Sequence, residues 1–281
     1  MRSRSAQDGD DTNVAGSHEP GGSSSSETGA GPSARAFVVI PAVDVLGEEA
    51  VRLEQGDYAR IGRRAGDPAG LVERFASAHP ALIHVVDLGG AREGRIRPEL
   101  IARLVEAAGA VPVQASGGIR SVEDALELLD AGAARVIVGT AAFTADAALE
   151  RFVEAIGDRL VIAVDSRNGR LAISGWEREA GLTVVEAARR CRAVGVPRLH
   201  CTAVERDGTM RGPDLDLLAA VRDAAGLPIL AAGGIRSQRD LERLAGLGLE
   251  GAVVGRALLE GTVPLSAISR LTARLGRDGP A

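Results

Sequence analysis

The feature that most limits how this chain can fold is a stretch that occurs twice. Residues 114–143 run Gln-Ala-Ser-Gly-Gly-Ile-Arg-Ser, then an amphipathic segment, then Arg-Val-Ile-Val-Gly-Thr-Ala-Ala-Phe. Residues 230–259 run Leu-Ala-Ala-Gly-Gly-Ile-Arg-Ser, an amphipathic segment, and Gly-Ala-Val-Val-Gly-Arg-Ala-Leu-Leu. Gly117 and Gly233, Gly139 and Gly255, and His84 and His200 are each 116 positions apart. A constant offset held over three segments marks a duplicated half-domain. Each copy reads as a strand, a Gly-Gly turn, a Ser-opened helix and a second strand ending in glycine. Backbone amides exposed beside a helix start form an anion site, and phosphate is the usual occupant. Two copies predict two phosphates, and so a small bisphosphate ligand.

Apolar runs extend the pattern along the chain. Phe37–Val43, Leu82–Leu88, Val111–Ala115, Arg135–Gly139, Leu160–Asp165, Arg198–Val204, Pro228–Ala232 and Gly251–Gly255 read as eight strands. Helices are expected from Asp67-Pro68, over 98–108, from Ser121, over 146–156 and 183–194, from Asp214, from Ser237, and over 265–275. Loops are expected after the first strand (with Arg52, Gln55, Gly56, Asp57 and Tyr58), at Gly89, Gly90 and Gly94, and from Ser166 to Gly181. Eight alternating units over residues 37–281 match the roughly 250 residues of a (β/α)8 barrel. The half-chain symmetry favours closure over an open doubly wound sheet. A TIM barrel built from two duplicated half-barrels is the predicted fold.

Apolar residues are 45% of the chain but aromatics only 2%, so the core must be aliphatic, as suits buried parallel strands. So few aromatics disfavour single-stranded nucleic acid as a partner, and a net charge of −5 disfavours polyanions in general. Residues 1–36 are polar and Ser/Gly-rich and read as a disordered tail. Asp8, Asp10, Asp11 and Glu19 argue against a transit peptide, and no apolar run is long enough to span a membrane. Cys191 and Cys201 are too few for a disulfide framework. A cytoplasmic, membrane-free protein is expected.

Barrel chemistry sits at the carboxyl ends of the strands, which directs attention to Asp44, Asp165, Thr202 and Asp207. Asp44 and Asp165 each close an apolar strand with no helix directly following, so a capping role is weak and acid–base work fits. Arg52 is a cation able to keep Asp44 ionised. Asp207 lies in an Arg-Asp-Gly-Thr turn, where a turn-forming aspartate is the bland alternative. His84 and His200 read as packed core histidines. No metal-ligand spacing and no nucleotide fingerprint is present, so neither metal nor cofactor is expected.

Val-Ile-Pro-Ala-Val-Asp at 39–44 and Val-Arg-Leu-Glu-Gln-Gly-Asp-Tyr at 51–58 resemble the phosphoribosyl isomerases of histidine biosynthesis. The resemblance continues through His84–Leu88, Ser116–Arg120, Val138–Thr140, Gly175-Trp176, Arg206–Thr209 and Gly233–Ser237. It implies a cofactor-independent Amadori rearrangement of an aminoaldose to an aminoketose. It implies Asp44 as base, Asp207 as acid, and Asp165 and Thr202 as groups orienting the ribose and the opened intermediate. Phosphates would lie on Gly117, Gly118, Gly139 and Thr140, and on Gly233, Gly234, Gly255 and Arg256. Arg52 would contact substrate, and Trp176 would stack on the imidazole or close the loop over it. A monomer is expected. The chain departs from the family pattern at Gly89 and Ala203, where acids are usual, and at Ser174, where relatives acting also on phosphoribosylanthranilate carry a basic residue. Such bifunctionality, the sister cyclase of imidazole glycerol phosphate synthesis and a non-catalytic phosphosugar-binding protein are the alternatives.

Overall fold

The computed structural model describes residues 37–145 and 147–275; the tail expectation for residues 1–36 lies outside them. Eight strands, labelled in chain order, form the barrel: β1 (Val38–Leu46), β2 (Ile83–Asp87), β3 (Val113–Ser116), β4 (Arg135–Val138), β5 (Leu160–Ala163), β6 (Leu199–Thr202), β7 (Ile229–Ala232) and β8 (Gly251–Val254). Neighbours pair in parallel, and β8 returns to β1 with Val38 opposite Gly251, so the sheet closes. The (β/α)8 expectation is met.

Period-two alternation decides what faces the barrel interior. On β1, Val39, Val43 and Val45 pack outward into the main core against the helices. Ile40 and Ala42 point the other way and meet Leu230, Ala232 and Val253. The same alternation turns His84, Gln114, Ile137, Val161, His200 and Thr202 inward, while Ile83, Val113, Val136, Ile162 and Cys201 join the outer layer. Continuing each register by two residues places Asp44 and Asp165 inside, at the carboxyl mouth.

The helices start where their caps are written. Ser121 accepts from Asp124 N, and Asp124 accepts from Ser121 N, a reciprocal capping box. Thr183 and Glu186 repeat it. Asp67, Asp214 and Ser237 also cap their helices with side-chain acceptors.

Three expected loops are structured. The segment after β1 is an antiparallel hairpin, Glu49–Glu54 with Asp57–Gly66. Its turn residues Gln55 and Gly56 both have positive φ, the geometry that matches strand twist. The segment expected as a loop over 166–181 belongs to a small three-stranded sheet of Ser166–Arg167, Arg170–Ile173 and Arg178–Thr183, turning at Asn168-Gly169. The glycine-rich stretch after β2 is a short helix, Leu88–Glu93, capped by Asp87 and ended by left-handed Gly94. Among the described residues no helix is long and apolar enough to cross a membrane.

Candidate active site

At the carboxyl mouth lies a cavity of about 230 Å³ lined by Asp44, Arg52, Asp165, Thr202, Asp207 and Trp176, among others. An adjoining recess of about 50 Å³ shares Arg52 and Asp207 with it and is walled by Gly233, Gly234, Gly255 and Arg256. Gly117, Gly118, Gly139 and Thr140 line the larger space. Every residue given a catalytic, phosphate-binding or substrate-binding role from the sequence thus lines one of these two adjoining spaces, with the two glycine sets on different ones.

Asp44 ends the inward face of β1 and pairs with Arg52 of the hairpin, whose Nη1 donates to Asp44 Oδ2. The same guanidinium donates from Nη2 to the Ala42 carbonyl at 3.0 Å. Burial pushes the Asp44 carboxyl upward, and Arg52 opposes that shift by charge and hydrogen bond. Arg52 also reaches the Gly255 backbone so closely that a side chain there would force its guanidinium to move.

Asp207 follows a 3₁₀ turn, Val204–Arg206, where its N–H donates to the Ala203 carbonyl at 3.1 Å. The hairpin packs on this loop: Gln55 N donates to Asp207 O at 3.2 Å, and Gln55 Nε2 to Glu205 O at 2.9 Å. Burial raises the Asp207 carboxyl to about 6. Arg52 pulls it down, while Asp44 and Asp165 push it up. The turn-forming reading of Asp207 is therefore incomplete, since its carboxyl faces the cavity.

Asp165 Oδ1 accepts from Thr202 N at 3.2 Å, and Oδ2 accepts from the Trp176 indole at 2.8 Å. Trp176 is therefore tethered, with its ring against Gly56, where a Cβ would come within 2.6 Å of Cε3. Ser174 N donates to Thr140 Oγ1 at 2.8 Å, a second tie between the sheet after β5 and the cavity wall.

The Gly-Gly turns have a reason beyond anion access. A Cβ on Gly117 would sit 2.1 Å from Asp87 O, and one on Gly233 2.7 Å from Ala203 O. Both glycines also have positive φ. They let each turn pack against the preceding strand's loop, 116 positions apart in both halves. Arg256 turns to Gly208 O and Glu260.

Several residues were passed over from sequence. Asp87, 2% exposed, accepts from Gly90 N at 2.8 Å and from Arg97 at 2.6 and 2.9 Å, so it holds the β2 loop. Its signal was the one used for Asp44, a carboxylate closing an apolar strand. Tyr58 donates to Leu88 O at 3.0 Å and lies under Arg92, anchoring the hairpin on the far side. His84 and His200 are buried as expected, yet both also line the cavity.

Residues 38–264 match the family model described as histidine biosynthesis protein. A relative from Thermomicrobium roseum is 44% identical over 81% of this chain and 94% of its own length. One from Rubrobacter xylanophilus is 44% identical over 82% and 94%, and one from Listeria welshimeri 38% identical over 83% and 97%. All three carry the name 1-(5-phosphoribosyl)-5-((5-phosphoribosylamino)methylideneamino) imidazole-4-carboxamide isomerase. With a closed barrel, one two-part cavity and a match over most of its length, the chain belongs to the histidine biosynthesis protein family.

Proposed function

We propose that the protein isomerises the bis-phosphoribosyl aminoaldose named in its relatives to the aminoketose, by acid–base chemistry at Asp207 and Asp44. The observation that carries this reading is the pair itself. Two inward carboxylates share one cavity, with Arg52 paired to only one of them. Asp207, held up to about 6, keeps a proton available near neutral pH. Burial raises Asp44 as well, and the Arg52 ion pair opposes that rise by charge and hydrogen bond, favouring the carboxylate form a base needs. An acid and a base need carboxyls in unlike environments, and the Arg52 ion pair is what makes these two unlike.

In the reaction Asp207 gives its proton to the furanose ring oxygen, the C1′–O bond breaks, and the ring opens to a protonated Schiff base. Asp44 takes the C2′ proton, and those electrons move to neutralise the iminium nitrogen and form the enolamine. Return of a proton to C1′, with loss of the C2′ hydroxyl proton, gives the ketone. Asp165 and Thr202 orient the ribose hydroxyls, and Trp176 closes over the imidazole. One phosphate lies at Gly117, Gly118, Gly139 and Thr140. The other lies in the recess at Gly233, Gly234, Gly255 and Arg256, where Arg52 meets it. No step is routed through a cofactor or metal, and one chain supplies every group, so a monomer suffices. The recess with its glycines and two arginines supports a phosphate there, and the isomerase name of the relatives supports the reaction class.

Steady-state assay of the purified chain with that aminoaldose tests the reading. Turnover that is lost in Asp44→Asn, together with exchange of the C2′ hydrogen with solvent, is expected. Near-normal turnover by Asp44→Asn removes the assignment.

A further inference from the structure

Gln114 on β3 is fully buried, with its amide between two groups. Arg135 Nε donates to Oε1, and Nε2 lies 3.0 Å from His84 Nδ1. A guanidinium has no acceptor, so the amide atom facing Arg135 is the oxygen. The amide nitrogen then faces His84, and that nitrogen only donates. His84 Nδ1 must hold a lone pair, which leaves the single ring proton on Nε2. With Nδ1 turned to Gln114, Nε2 is the nitrogen left for the cavity that His84 lines. The charged groups acting on the ring are Arg52 and Arg135, with His200 as the titratable neighbour. Asp44 and Asp165 lie beyond them, the first paired with Arg52 and the second facing His200. Burial, the neighbouring His200 and these cations oppose a second ring proton and hold His84 well below the usual histidine range, against a smaller upward pull from the Gln114 backbone.

The duplication shows that this arrangement is particular to one half. Moving 116 positions on, His84 becomes His200, Gln114 becomes Leu230, and Arg135 becomes Gly251. Leu230 is buried and apolar. At Gly251 a Cβ would stand 2.5 Å from Val38 O and 3.3 Å from Leu230 Cδ2, so no long side chain fits. His200 therefore has no amide to orient it. Its Nδ1 faces Asp165 Oδ1 at 3.8 Å, and its buried Nε2 has no partner among the described residues. The two rings lie 5.6 Å apart at 35°. The histidine is present in both halves and the amide clamp in only one.

We propose that Gln114 and Arg135 are positioning residues that hold His84 as an imidazole protonated only at Nε2, so that it meets bound substrate solely as a hydrogen-bond donor. A fixed neutral donor stabilises charge that builds on the furanose ring oxygen as its bond to C1′ breaks, and it offers Asp44 no competing base. What the donor serves rests on the isomerase reading; where its proton sits does not.

The test uses the full chain labelled with ring-15N histidine, without substrate. Two-bond 15N–1H correlation spectra report which ring nitrogen carries hydrogen, and the signal lost in His84→Gln identifies His84. The expected pattern is a protonated Nε2 and a bare Nδ1 throughout about pH 5.5 to 8, where an ordinary histidine would titrate. A proton on Nδ1, or titration in that range, overturns the proposal without any reference to activity. Gln114→Glu replaces the donor with a carboxylate, so His84 should gain hydrogen at Nδ1. Arg135→Lys, which keeps a donor to the amide oxygen, should retain the Nε2 form, whereas Arg135→Met should not. Loss of one donor at developing charge typically costs about 10²–10³ in rate, so Gln114→Glu should lower kcat at least about tenfold with KM changed much less. An altered tautomer with kcat unchanged overturns the positioning role. No turnover by the unaltered chain sinks the isomerase reading instead, and the spectra still decide where the proton sits.

Discussion

The Trp176 indole donates to Asp165 Oδ2 at 2.8 Å, fastening the small sheet after β5 to the end of the strand that precedes it. Trp176 is the chain's one tryptophan, so the indole fluorescence reports on the surroundings of this one ring, that bond included. A ligand that engages Asp165 must share or break it, and saturating product should shift the emission. Trp176→Phe keeps a ring but removes the donor. With the indole partly buried, about 1 kcal/mol, or roughly fivefold in kcat/KM, is the expected loss. Emission that ignores saturating ligand would show that Asp165 is not reached.

Asp207 should trade stability for protonation. Its folded pKa of about 6 exceeds that of the unfolded chain, so the native state binds more protons between about pH 4 and 6. Stability from this group is present at low pH and is lost as pH rises through 6. The full shift would be worth up to about 3 kcal/mol, but the group is partly exposed to the cavity, so about 1–2 kcal/mol is expected. Asp207→Asn should melt higher than the parent at pH 7.5 and equally at pH 4, while losing about 10²–10⁴ in turnover. The parent's kcat/KM should fall as pH rises through about 6. A variant less stable at pH 7.5 contradicts this account of the site.

Arg52 and Asp44 should be inseparable in their pH behaviour. Arg52 opposes the upward push of burial on Asp44, so Arg52→Met should raise that carboxyl further. A base works above its pKa, and the acidic limb of kcat/KM should therefore move to higher pH. Leaving a buried carboxylate unpaired costs several kcal/mol in a dry interior, and about 2 kcal/mol is expected at pH 7.5 for this partly wet pair. Less should be lost at pH 4, where Asp44 can protonate. An unmoved acidic limb would mean that Asp44 is not the base.

The phosphate half built from β3 and β4 can be probed without disturbing the barrel. Gly139 has negative φ, and a Cβ there would lie 3.6 Å from Ala163 Cβ, an ordinary contact. Gly139→Ala should melt like the parent yet bind a bisphosphate more weakly. Gly117→Ala drives a Cβ onto Asp87 O and should lower Tm by several degrees. Equal melting of the two variants would deny the packing role of the Gly-Gly turn.

The sequence alone determined the barrel, its twofold origin and the strand ends where Asp44, Asp165 and Thr202 stand. Those facts rest on local rules: alternation along strands, serine and aspartate caps, and a constant offset between halves. Gln55-Gly56 and Asn168-Gly169 were equally legible as hairpin turns, and reading their segments as loops missed that turn chemistry. Tertiary structure alone decided that Arg52 pairs with Asp44, that Trp176 holds Asp165, and that Gln114 stands between Arg135 and His84. It also decided that burial raises both Asp44 and Asp207, with Arg52 paired to the first. Those relations join residues far apart in the chain, and carboxyl ionisation depends on how much water and which charges the folded walls leave around each group.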